Sequence, residues 1–260
     1  MRILILGDII GQPGMRAVVS ALKGLIRTYR ADLVVVNGEN ANDGFGITAA
    51  LADQLVRAGV HVITTGNHVW HDEKVGELLE GRPEILRPDN YPAGVPGSGV
   101  YVLDRKQGKI AVINLQGRDR MPSIDCPFRR FREIMKRLGN TMAQVVVDFH
   151  AESTAEKEAL AHFVDGEATV LFGTHTHVQT ADERILPGGT ACITDVGACI
   201  VPESVIGFRP EISNRRVLTQ LPLKNEVAHG QATIHGICVE TDGDTRRARS
   251  IERIRFRSLV

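Results

Sequence analysis

The sequence predicts an α/β protein of two sheets packed together, with helices outside. Two observations carry that expectation. Residues 2–65 alternate short, β-branched apolar runs with helical stretches, which implies parallel strands joined by crossover helices. Beyond residue 100, a hairpin pattern is mixed with further strand–helix units, so the second half is expected to form a mixed sheet. No internal repeat, low-complexity tract or linker interrupts the 260 residues, and one domain spanning 1–260 is expected.

Taken in order, Arg2–Leu6 (RILIL) is an apolar strand stopped by Gly7, and Met15–Tyr29 carries helical periodicity. Leu33–Asn37 (LVVVN) is a second strand, because β-branched content favours strand over helix. Thr48 is placed to cap the helix ITAALADQLVRAG, which stops at Gly59. Val60–Thr65 supplies a third strand before Gly66. Residues 82–98, rich in Pro and Gly, read as a long ordered connection. Val100–Asp104 and Lys109–Leu115 then form a hairpin about an RKQG turn. A helix near Phe128–Leu138, a buried strand Gln144–Phe149, a helix Thr154–Val164 and a strand Thr169–Phe172 follow. From Thr190 the pattern is mostly β: ACITD, a long loop through 196–216, then QATIHGICVE and ARSIERIRFR as a half-exposed pair.

Lys+Arg and Asp+Glu both number 31, so the formal net charge is zero. That balance argues against a surface built for generic polyanion binding, though not against a local basic patch. A single nucleotide or a short single-stranded end suits it better than a long duplex. The N-terminal apolar run is too short for a signal peptide, and no window approaches the ~20 apolar residues of a membrane span. Cys126, Cys192, Cys199 and Cys238 show no CxxC pairing and read as reduced thiols. A cytoplasmic protein with no membrane partner is expected.

The polar residues that bear chemistry fall at the ends of apolar strands. Asp8 follows RILIL, Glu39 and Asn40 follow LVVVN, and Asn67 and His68 follow VITT. His150 closes VVVDF, while His175 and His177 follow VLF. Carboxyl ends of strands in α/β sheets share one edge, where ligands bind, so residues from position 8 to 177 can converge. Oxygen donors from Asp, Glu and Asn with nitrogen donors from His, and no thiolate, suit a dinuclear site of borderline or hard cations. Glu39 is the choice for a carboxylate bridging two metals ~3.5–4 Å apart. An extended His175-x-His177 puts both rings on one side of the chain. Each piece alone has a structural explanation: Asp8 as a cap, Asn67 as a turn residue, His150 as a satisfied core histidine. Their joint placement carries the argument.

GD at 7–8, NGEN at 37–40, GNH at 66–68, the single His150 and GTHTH at 173–177 resemble, in order, the motifs of the calcineurin-like metallophosphoesterases. Two departures stand out: Ile10 occupies the place of the histidine in D-x-H, and Glu39 followed by Asn40 replaces the usual bridging Asp. With GDIIGQPG, VVNGENANDGFGIT and TGNHVW, this variant pattern is similar to the YmdB-like bacterial cyclic-nucleotide phosphodiesterases over essentially the whole length. The resemblance implies a four-layer αββα sandwich, iron or manganese dependence, and hydrolysis of 2′,3′- or 3′,5′-cyclic nucleotides. It also suggests cytoplasmic regulation of RNA turnover or of multicellular behaviour.

On that basis Asp8, Glu39, Asn40 and His177 are assigned to one metal, and Glu39, Asn67, His150 and His175 to the other. A metal-bridging hydroxide attacks phosphorus in line. His68 protonates the leaving ribose oxygen as general acid, or else orients a ligand. Trp70 either stacks on a base or packs locally. His71 and Asp72 either support the ligands or begin a solvated helix. NDGFG at 42–46 is a rim or merely a connection. VPESVIGFRPE at 201–211 shapes the substrate pocket or a subunit contact of a homo-oligomer. The competing functions are a metallophosphomonoesterase or nucleotidase, and a metal-containing regulatory protein that binds nucleotide or an RNA end with little turnover. A metal-dependent amidohydrolase fits poorly, because there the HxH pair normally ends the first strand.

Overall fold

In the computed structural model, which describes residues 1–106, 108–243 and 245–259, strand β1 (Arg2–Leu6) leads into a two-residue β2 (Asp8–Ile9) and the long helix α1 (Gly11–Tyr29). β3 (Leu33–Asn37), α2 (Ala49–Ala58), β4 (Val62–Thr64), α3 (Val75–Gly81) and β5 (Ile85–Leu86) follow. Then come β6 (Val100–Arg105), β7 (Gly108–Gln116), α4 (Pro127–Leu138), β8 (Met142–His150), α5 (Thr154–Phe163) and β9 (Val170–Thr174). The chain ends with β10 (Arg184–Ile185), β11 (Ala191–Ile193), β12 (Ala198–Cys199), α6 (Pro210–Thr219), β13 (Thr233–Thr241) and β14 (Ala248–Arg257). The expected RKQG turn includes residue 107, which lies outside the described residues.

Two six-stranded sheets result, in the orders β14-β13-β1-β3-β4-β5 and β10-β11-β9-β8-β7-β6. β1, β3, β4 and β5 run parallel, as do β7, β8, β9 and β11, while the outer strands of each sheet add antiparallel pairs. The parallel strands at the centre of each sheet are mostly apolar because both their faces are buried. In β1, Ile3 and Ile5 point between the sheets with Val35, Val112, Val146 and Phe172. Leu4 and Leu6 point the other way, against Val18 and Leu22 of α1 and Leu55 of α2. Across the molecule, Ile113, Val147 and Phe149 pack on Phe131 and Ile134 of α4 and Leu160 of α5. The result is a four-layer αββα sandwich with three apolar layers.

Local chemistry sets the element ends. The Thr48 hydroxyl accepts from Leu51 N–H at 3.4 Å, and Gly59 closes α2 with φ of 119°, a left-handed cap that glycine adopts without strain. Two segments differ from expectation. Residues 82–98 contain β5, only Ile85–Leu86, too short to show a period. The expected loop 196–216 contains β12 and the start of α6. That helix buries only Ser213, so it has no apolar stripe to reveal it, although Pro210 at its first turn is a start signal. Among the described residues no helix is long and apolar enough to cross a membrane.

Candidate metal centre

Strands buried on both faces leave polar side chains no outlet until the strand stops, and these strands stop along one edge. Asp8 lies just past β1, Glu39 and Asn40 past β3, and Asn67 and His68 past β4; His150 ends β8, and His175 and His177 follow β9. The structure brings all eight together. Glu39 is fully buried, with Oε1 3.0 Å from His150 Nε2 and Oε2 accepting from the His68 backbone N–H at 3.0 Å. His150 Nε2 lies 2.9 Å from Asn67 Oδ1 and 3.1 Å from His175 Nδ1. Asn40 Nδ2 donates to Asp8 Oδ1 at 3.2 Å and lies 3.3 Å from His177 Nε2. Ile10 is buried apolar core, so Asn40 is the group that stands beside Asp8.

The two histidines after β9 reach the cluster by another route than an extended HxH. Both have left-handed backbone, φ 101° at His175 and 64° at His177. Such conformations cost about 1–3 kcal/mol each in non-glycine residues and persist only when their surroundings hold them. Here Thr176, between them, donates its N–H and hydroxyl to Asp195 Oδ2 at 3.1 and 2.8 Å. The same oxygen accepts from Lys157 Nζ at 2.8 Å. His177 Nδ1–H donates to the Ile206 carbonyl at 2.9 Å, which turns Nε2 toward Asp8 and Asn40.

His150 is oriented by a relay. The Thr174 hydroxyl donates to Asp148 Oδ1 at 2.8 Å, so it accepts from His150 Nδ1–H at 2.9 Å, and Nε2 is left to face the cluster. The Asp148 carboxyl also accepts from Asn37 Nδ2 at 3.3 Å and from the Thr64 hydroxyl.

Burial pushes the Asp8 carboxyl up to about 6 against the pull of His177 and His150. Burial also acts to raise Glu39, but His150 and His68 outweigh it and hold Glu39 down at about 2. On His150 burial disfavours the cation, yet Glu39 overcomes it and lifts the ring to about 9. Burial, reinforced by the charge on His150, pushes His175 down to about 3. Metal binding displaces the protons that such groups hold, because the ligating forms are the deprotonated ones. Glu39, His150 and His175 offer ligand atoms all within 4.8 Å of one another. Oxygen and nitrogen donors without sulfur suit a borderline divalent cation, so the residues present fit a metal.

Glu39, His68, His175 and His177 open on a cleft of about 370 Å³ that is also lined by Phe45, Phe208, Glu152, Arg216 and Asn225. Of those five, Glu152, Arg216 and Asn225 lie outside every segment that the sequence marks as ligand, rim or pocket wall. Glu152 Oε2 lies 3.1 Å from His175 Nε2, and its place two residues after His150 was the available signal. Phe45, in NDGFG, makes that segment a rim: its ring stacks on Phe208 at 5.7 Å and on His71 at 5.3 Å. Ile206 and Phe208 bring the 201–211 segment into the cleft wall. Trp70 instead packs edge-on against Tyr91 at 5.5 Å and does not line the cleft.

Gly66 gives this geometry a direct test. A Cβ there would lie 2.1 Å from His150 Cδ2 and 2.3 Å from Nε2, far inside contact distance. Gly66→Ala is expected to displace the imidazole and lower metal affinity and catalytic activity by roughly 10–100-fold or more, the scale on which orienting a ligand matters. Metal content and kcat/KM measured on the folded variant check this; wild-type values for both would refute the placement of His150.

A four-layer sandwich with this oxygen–nitrogen cluster at the carboxyl edges of both sheets defines a metallophosphoesterase. The chain belongs to the YmdB-like family, whose sequence profile, described as "YmdB-like protein", matches residues 4–254. It is 41% identical over 254 residues to the Bacillus subtilis (strain 168) protein named 2′,3′-cyclic-nucleotide 2′-phosphodiesterase, covering 98% of this chain and 96% of that one. A solved structure of a hypothetical protein from Thermus thermophilus superposes with a TM-score of 0.93 at 38% identity, covering 99% of this chain and 100% of that chain. A structure described as a novel phosphatase from Mycoplasma pneumoniae matches with the same score at 35% identity, covering 99% and 94%.

Proposed function

We propose that this chain is a two-metal phosphodiesterase that opens 2′,3′-cyclic nucleotides, and 3′,5′-cyclic ones by the same chemistry. The observation that supports it most is the position of Glu39, a buried carboxylate between Asn40 on one side and His150 and His68 on the other. Asp8, Glu39, Asn40 and His177 would hold one cation, and Glu39, Asn67, His150 and His175 the other; iron and manganese both suit that donor set. Bound there, the cations supply Lewis-acid stabilisation of the phosphoryl oxygens and lower the pKa of water from ~15.7 toward ~7.

The chain's own residues position the substrate and move the proton. His68 Nδ1 lies 3.1 Å from His71 Nε2, which leaves Nε2 for the substrate. Phe45 meets the His68 ring edge-on at 5.0 Å and limits its rotation. As general acid, His68 protonates the ribose oxygen while the phosphorus–oxygen bond breaks and water enters from the opposite side. Glu39 and Glu152 both line the cleft. Outside the ligand set, Glu152 and Arg216 give the lining one group of each sign. The four unpaired thiols suit a reducing compartment, so cytoplasmic action is part of the proposal. Self-association is too: α6 leaves Val217 and Leu218 73% and 83% exposed.

His68→Ala tests the assignment. With metal content unchanged, turnover of 2′,3′-cyclic AMP is expected to fall about 10²–10⁴-fold. A p-nitrophenyl phosphodiester, whose leaving group needs no proton, should lose far less. Equal losses on both substrates would remove His68 from the acid role. If metal-loaded wild type leaves the cyclic nucleotide intact, the substrate assignment fails, and a monoesterase or a nucleotide-binding regulator takes its place.

A further inference from the structure

Beside the catalytic cleft lies a second, larger groove of about 630 Å³, and the two share His177 and Ile206 as a common wall. Its lining includes Thr233 and His235 of β13 and Arg253 and Arg255 of β14. Antiparallel register places His235 opposite Arg255 and Ile237 opposite Arg253. Arg253 and Arg255, two residues apart, therefore share a face of the strand.

Charged residues on an edge strand often serve only to block pairing with other sheets. Three features set this groove apart. Its lining contains no carboxylate, in a chain of zero net charge. Arg253 is held by Glu183 at 2.8 Å, whereas Arg255 forms no ion pair among the described residues. His235, opposite Arg255 in the strand register, adds a half-buried imidazole to the lining.

We propose that this groove is a second phosphate subsite, which takes a phosphate attached to the 5′ side of the ribose whose cyclic phosphate sits in the catalytic cleft. The proposal rests on the cyclic-phosphodiesterase reading above and narrows its substrate class. Arg255 binds the 5′-phosphate oxygens with its guanidinium fork, and His235 adds a hydrogen bond. At the other end of the ribose, water oxygen bonds to phosphorus and the P–O2′ bond breaks. The bond's electron pair goes to O2′, which takes the proton, leaving a 3′-phosphomonoester. Two sources carry such a phosphate: a 5′-phosphorylated mononucleotide, or an oligoribonucleotide ending in a 2′,3′-cyclic phosphate. The second arises when an RNA strand is cut by attack of its own 2′-hydroxyl.

The test compares kcat/KM of metal-loaded protein on 2′,3′-cyclic AMP, on its 5′-phosphorylated form, and on the dinucleotide ApA ending in a cyclic phosphate. Wild type is expected to prefer at least one extended substrate by tenfold or more. Arg255→Met should abolish that preference, and Arg255→Lys should retain part of it. Preference for the 5′-phosphorylated mononucleotide alone identifies a terminal-phosphate site; preference that includes the dinucleotide identifies a chain-binding one. Equal kcat/KM on all three substrates, or a preference that survives Arg255→Met, overturns the proposal. Direct binding of adenosine 3′,5′-bisphosphate against 3′-AMP reads the groove independently of turnover. If no substrate is hydrolysed but the bisphosphate binds tenfold tighter through Arg255, the diesterase reading has failed and the subsite stands. If both nucleotides bind alike, the subsite is wrong whatever the activity.

Discussion

Glu39→Gln is expected to bind fewer metal ions than wild type and to lose on the order of 10³-fold or more in kcat/KM on 2′,3′-cyclic AMP. The substitution preserves shape and removes one charge at a position with no access to solvent. Gln can still accept from the His68 N–H, now 3.0 Å from Glu39 Oε2, but its NH2 group would face His150 Nε2, where an oxygen lies at 3.0 Å today. In the proposed assignment both ligand sets share this carboxylate, so both would lose charge at once. Without a metal to lower its pKa from ~15.7 toward ~7, water supplies about tenfold less hydroxide for each unit of that interval lost. This differs from the His68→Ala outcome, where metals remain. Metal analysis beside kinetics separates the two: a Glu39→Gln protein with a full metal complement and more than a tenth of wild-type activity would show that Glu39 does not bridge.

The sites of Asp8, Glu39, Asn67 and His150 were readable because each follows or closes an apolar strand, and parallel strands align their carboxyl ends. The alternation of strands and helices at 2–65 conveyed the first sheet for the same reason. Other features depend on tertiary contacts that no local pattern carries. His175 and His177 have positive φ because Asp195 and the Ile206 carbonyl hold them there, so an extended reading of HTH was the natural one and the wrong one. α6 exposes Val217 and Leu218 and buries Ser213, which inverts the pattern by which helices are recognised. Arg216 of that helix and Asn225, beyond its end, line the cleft outside every motif. Trp70 is near Asn67 in sequence, but it packs against Tyr91 rather than lining the cleft.

The largest loss of stability from a residue outside the metal cluster is expected at Lys157. Its ammonium is 2% exposed and lies 2.8 Å from Asp195, itself 1% exposed. Breaking a buried pair by removing one partner costs about 3–5 kcal/mol, because the other charge is left uncompensated. Lys157→Met should cost that much, which at ~2–4 °C per kcal/mol corresponds to a melting temperature lower by roughly 10 °C. Asp195 would retain three donors, Thr176 N–H, the Thr176 hydroxyl and Gly197 N–H, so the turn carrying His175 and His177 should loosen rather than unfold. Metal affinity is therefore expected to fall roughly 10–100-fold even at temperatures where the variant is folded, although Lys157 is not itself a candidate ligand. Lys157→Met combined with Asp195→Asn removes both charges and keeps an acceptor for Thr176. It should recover much of the stability, since the penalty lies in the unpaired charge rather than in the absence of the pair. Thermal melts and metal titrations of the single and double variants decide the matter. A single variant that melts and binds metal like wild type would show that the ion pair does not hold the turn. A double variant no more stable than the single would place the cost in lost packing around the lysine stem.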